Sequence, residues 1–183
     1  MNWRHRPIEE IEALVRPGDI LAFSGHGLIS TVVKLITHSS ISHIGIVLDP
    51  SPGAQIIEST SLRGFAGVTI GSLVQRCSEY DGSIWLLRLR DSLPGNRQAL
   101  QQWLRAQNLE PYDTWGAVES AFRVHHAQGG DRWFCSELAA AALQAIGVLP
   151  EGTRPNEIRP CDLIRLPIFC EDYYQIKGEL EQV

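Results

Sequence analysis

A chain of 183 residues, 44% hydrophobic and 20% charged, has the make-up of one folded domain with a real core and is cramped for two. Its net charge is −5, and no run of lysines or arginines interrupts it, which argues against nucleic acid as a partner. Four cysteines stand far apart with no Cys-x-x-Cys pair, so a stapled secreted scaffold is not expected.

The first ten residues contain no apolar stretch of the signal-peptide kind. The longest apolar window, residues 28–47, is broken by Lys34, His38, Ser39, Ser40 and His43, which is too polar for a transmembrane helix. A cytoplasmic protein with reduced thiols is the expectation.

Taken in order, residues 7–15 read as a short amphipathic helix with Pro7 in its first turn and acids near its N-terminus. Arg16-Pro-Gly-Asp19 turns the chain into a short apolar strand, residues 20–23. Residues 28–36 carry apolar groups at helical spacing. Strands are predicted over residues 42–48, 55–60 and 68–70, with a dense turn at Asp49-Pro-Ser-Pro-Gly53 and a helical turn over residues 72–76. Residues 83–89 alternate only at their end, the mark of a strand covered on both faces. Helices follow over residues 95–107, 112–122 and 135–146, the last ended by Gly147. Residues 150–160 read as loop, and 164–168 and 173–176 as strands. Strands dominate the first half and helices the second, so the fold class is α+β, in one domain spanning residues 1–183.

Cys135 opens the helix of residues 135–146, on the face shared by Leu138, Ala139, Ala142, Leu143 and Ile146. Unpaired N–H groups and the positive end of the helix dipole favour a thiolate there. The same position also suits a small buried hydrophobe. A nucleophile needs a base, and six histidines compete. His5 lies in a polar terminus, His125 and His126 in a loop, and His26 and His38 beside the helix of residues 28–36. Only His43 falls in an apolar strand, where it reads as a base or as an imidazole bonded to a backbone carbonyl. A four-residue turn, Asp49 to Pro52, pairs residues whose numbers sum to 101 and so sets His43 opposite Glu58, on the same face of the hairpin. A carboxylate there fixes the tautomer of the ring; a loop one residue different moves Glu58 to the opposite face, and a solvated outward residue is the other reading.

Five segments, in this order, resemble a known group: Arg16-Pro-Gly-Asp-Ile-Leu-Ala-Phe23, Ser42-His-Ile-Gly-Ile-Val47, Ile56-Ile-Glu-Ser59, Pro111-Tyr-Asp113 and Phe134-Cys-Ser-Glu-Leu138. The chain is similar to the circularly permuted branch of the NlpC-type papain-like superfamily, the YiiX-like proteins, relatives of the lecithin retinol acyltransferase-like proteins. That resemblance implies a small antiparallel sheet or barrel packed against helices. It implies Cys135 as nucleophile, His43 as general base, Glu58 as the group orienting it, and Tyr112 beside the substrate. The reaction implied is acyl transfer through a thioester, by a cysteine amidase or peptidase acting on a small peptide or amide. A lipid acyltransferase or acyl hydrolase, with Leu28, Ile29, Val32, Val33, Leu35 and Ile36 lining an acyl groove, is the alternative, and a non-catalytic binding domain a third. No cofactor and no metal are expected, because Cys77, Cys161 and Cys170 match no zinc-binding spacing.

Overall fold

Alternating apolar side chains explain why most of the predicted strands form, since each one buries a different face into a different layer. The computed structural model describes residues 2–27, 30–31, 34–35, 38–62, 65–108 and 134–178. In order these form β1 (Asn2–His5), α1 (Ile8–Glu12), β2 (Ile20–Gly25), β3 (His43–Asp49), β4 (Gln55–Leu62), β5 (Phe65–Ser72) and α2 (Leu73–Glu79). Then come β6 (Gly82–Leu89), α3 (Arg97–Ala106), α4 (Cys135–Ala145), a 3-10 turn (Pro155–Glu157), α5 (Pro160–Leu163) and β7 (Phe169–Lys177). The strands make one seven-stranded sheet in the order β1-β7-β6-β2-β3-β4-β5. Its neighbours are antiparallel except β1 and β7, which run parallel with Asn2 beside Asp172 and His5 beside Gln175. The architecture is α+β.

Helices cover both faces. On one, Ile20, Ala22, Ile44, Ile46 and Ile57 pack against Leu100 and Leu104 of α3 and Leu138, Ala139, Ala142 and Leu143 of α4. On the other, Leu21, Phe23, Val47, Ile56 and Leu86 meet Ile11 of α1 and Leu73 and Cys77 of α2. Burying each large aliphatic side chain contributes roughly 1.5–3 kcal/mol. β6 lies inside the sheet between β7 and β2, with Ile84 and Leu86 on one side and Trp85 and Leu87 on the other.

Asp19 ties strands to turn. Its carboxylate accepts the Arg16 and Leu89 N–H groups at 3.0 and 2.9 Å, while its backbone exchanges into β3 through Val47 N–H at 2.8 Å.

Three expectations change. The strand predicted over residues 164–168 is instead the turn that follows α5: Pro160 opens a helix, and Asp162 accepts the Arg159 N–H at 3.3 Å. The opening residues, read as a polar terminus, form β1. Helix α1 is also shorter than residues 7–15. Of the helix predicted over residues 28–36, residues 30–31 and 34–35 are described and are helical; the segments at 112–122 and 125–130 lie outside the described residues.

Candidate active site

His43 is the first residue of β3 and Glu58 lies within β4. Their register differs from the sequence expectation. Ile46 pairs with Ile57 and Val47 with Ile56, an irregularity follows, and Asp49 pairs with Gln55. The residue numbers sum to 103 where the ladder is regular, not 101. The turn is longer than four residues, yet a change of two keeps each side chain on its face. Glu58 therefore reaches His43 diagonally, across Gly45, and His43 Nε2 lies 2.6 Å from Glu58 Oε2. Both side chains are mostly buried, at 14% and 6% exposure.

Helix α2 closes the far side of Glu58. Arg76 donates from Nε to Oε1 at 2.6 Å and from Nη2 to Oε2 at 3.2 Å. Its guanidinium packs over the rings of Phe23 and Tyr80, 5.1 and 4.9 Å from their centroids. Phe23 in turn lies 5.5 Å from the His43 ring, so the imidazole is wedged by an aromatic side chain as well as held by a carboxylate. Burial disfavours the Glu58 carboxylate, but His43 and Arg76 outweigh it and hold its pKa below the usual value.

Cys135 is the first residue of α4, after Phe134 in an extended conformation. Two contacts fix this helix start. Glu137 accepts the Phe134 N–H at 3.3 Å, and buried Ser136 donates to the Ile158 carbonyl at 2.6 Å. The first turn leaves the Cys135 N–H without an intrahelical acceptor. The thiol itself is buried and acts on His43: burial lowers the imidazole pKa, but the charge and hydrogen bond of Cys135, followed by those of Glu58, raise it to about 9. Because Nε2 engages Glu58, Nδ1 is the ring nitrogen left for sulfur.

Burial pushes Cys77 up to about 12 and also raises Cys161. The structure thus brings Cys135, His43 and Glu58 together; Tyr112 lies outside the described residues, as do Leu28, Ile29, Val32, Val33 and Ile36 of the apolar groove. Leu35 is exposed. Arg76 was missed by the sequence reading, where its only signal was a charge opposite in sign to Glu58 on a short helical turn.

No family model matches the chain. It is 24% identical over 213 aligned positions to the probable lipoprotein peptidase YaeF of Escherichia coli (strain K12), an alignment covering all of this chain and 75% of that protein. Among solved structures it is similar to YiiX of Escherichia coli O157:H7, described as a metalloprotein, with a TM-score of 0.65 and 18% identity. That match covers 91% of this chain and 98% of YiiX. No described helix is long and apolar enough to cross a membrane. In fold, the chain is similar to YiiX.

Proposed function

We propose that the protein is a cysteine hydrolase of the peptidase or amidase kind, working through an acyl-thioester on Cys135. The observation that carries this reading is the 2.6 Å contact between His43 Nε2 and Glu58, on an imidazole whose protonation responds to Cys135. The similarity to a protein named as a peptidase supports it.

In the first step the Cys135 thiolate attacks the substrate carbonyl carbon, and the C=O electron pair moves onto oxygen. The Cys135 N–H at the start of α4 is placed to stabilise that oxyanion. As the tetrahedral intermediate collapses, the C–N bond breaks and the His43 imidazolium gives its proton to the departing amine. Water then attacks the thioester, losing a proton to neutral His43, and the carboxylic product leaves with the thiolate restored. Glu58 holds the ring and stabilises its cation throughout.

The similarity to a metalloprotein raises the question of an ion at this site. Among the described residues no group of three or more His, Cys, Asp or Glu side chains is placed to hold one, and both Glu58 oxygens are engaged by Arg76 and His43. Among the described residues the donor set does not fit a metal.

Iodoacetamide alkylation of the native protein between pH ~5 and ~9, mapped by mass spectrometry, tests the reading without a known substrate. Cys135 is expected to react well below the range of an ordinary thiol and to lose that reactivity in His43→Ala, while Cys77 stays inert. Against peptide-amide and acyl-ester donors, Cys135→Ala should abolish turnover and His43→Ala should lower it by roughly 10²- to 10⁴-fold. Turnover surviving in Cys135→Ala sinks the mechanism.

A further inference from the structure

The pair that orients the thiol extends one residue further than a triad. Glu58 Oε2 accepts from His43 Nε2 and from Arg76 Nη2, while Oε1 accepts from Arg76 Nε. A carboxylate gripped at both oxygens by a planar fork cannot rotate about its last bond, so Oε2 is aimed at the imidazole. Arg76 is itself held. Its guanidinium packs over Phe23 and Tyr80, whose rings lie 4.9 Å apart. The helix that carries it is fixed at its start by Ser72 Oγ, which accepts the Gln75 N–H at 3.3 Å. At its end the Lys177 ammonium donates to the Cys77, Ser78 and Tyr80 carbonyls at 3.3, 3.0 and 2.6 Å.

We infer that Arg76 is a positioning residue of this site: it keeps Glu58 ionised and aimed, and through Glu58 sets the pH range in which the thiolate–imidazolium pair exists. The inference rests on the proposed cysteine chemistry. Its physical content is a sign. Arg76 is a cation close to Glu58 and, through it, to His43; its charge makes proton uptake at both harder. Removing that charge raises the proton affinity of Glu58, the group it touches. A buried carboxylate with one partner fewer takes up its proton at higher pH, and below that pH a neutral Glu58 no longer supports the imidazolium, so the thiolate paired with it forms only at higher pH.

The test compares wild type, Arg76→Gln and Arg76→Lys by the rate of Cys135 alkylation with iodoacetamide against pH, together with the thermal midpoint of each protein. In Arg76→Gln the pH at which Cys135 becomes reactive should move upward, by at most the roughly 1–3 pH units that an arginine shifts the carboxylate it touches. Arg76→Lys keeps the charge and loses the fork. It should retain the wild-type onset with a lower rate. A role confined to holding the fold predicts lower thermal midpoints with an unchanged onset in both variants, and that result overturns the inference. If wild-type Cys135 reacts like a free thiol and His43→Ala changes nothing, the cysteine chemistry fails and the role of Arg76 falls with it. A His43-dependent onset that Arg76→Gln leaves in place rejects the role of Arg76 alone.

Discussion

Gly45 stands between His43 and Glu58. A Cβ there would lie 3.2 Å from Phe23 Cε2 and 3.7 Å from Glu58 Cγ, so an added side chain would press on the ring beside His43 while resting in ordinary contact with the carboxylate stem. The missing side chain is what opens the diagonal from β4 to β3. Glu58→Gln preserves shape and removes charge, and turnover should fall by roughly 10²-fold as the imidazolium loses its counter-ion. Stability should change with pH in a defined way. His43 has a folded pKa of about 9, above its ordinary 6.5, so its contribution is complete below that ordinary value and is lost as pH rises through about 9. Glu58 is shifted the other way, below its ordinary 4.5, so its contribution holds above that value and fades as pH falls. The difference in urea unfolding free energy between wild type and Glu58→Gln should therefore be largest between the two ordinary values and shrink on both sides. A flat difference from acid to alkaline pH would show that the pair contributes nothing through ionisation. The pair's shared face was legible in the sequence because it depends on parity; its diagonal geometry was not, because loop length and a ladder irregularity set the register and neither leaves a mark in composition.

Two helices present the site, and each is secured by contacts distant in sequence. Cys135 at the head of α4 was readable, since an apolar face ending in Gly147 announces the helix and its first residue. Arg76 was not, because nothing local links it to a glutamate 18 residues earlier; only the packing of α2 beneath β4 does. Strand β1 escaped for the same reason, its partner lying at the opposite end of the chain, and the apolar residues 164–168 are too few to distinguish strand from turn. Lys177 gives α2 a testable anchor. Lys177→Met keeps the aliphatic stem but removes an ammonium from three carbonyls at the helix C-terminus, and should cost about 2 kcal/mol. For a chain of this size that is a fall of about 5 °C in thermal midpoint, measurable by circular dichroism; an unchanged midpoint would show the three contacts to be energetically idle.

Over the whole molecule, the α+β class followed from alternation and spacing and the sheet packed against helices from the family resemblance, whereas the strand order did not, because it is decided by which long-range pairs bury the most surface. The sheet has the hairpin of β3 and β4 near one edge and the parallel pair β1–β7 at the other. That second edge has a mechanical meaning. Tension applied between Asn2 and Lys177 pulls two parallel neighbours along their length in opposite directions, so the hydrogen bonds joining residues 2–5 to 172–175 are strained together and do not open one at a time. In single-molecule stretching between those two points the first rupture should need more force than when the same chain is pulled from Asn2 and Leu89, where β1 can be peeled away. The strands holding His43 and Glu58 lie beyond β7, β6 and β2, so a chain tugged between Asn2 and Lys177 gives way first at the edge away from the proposed site.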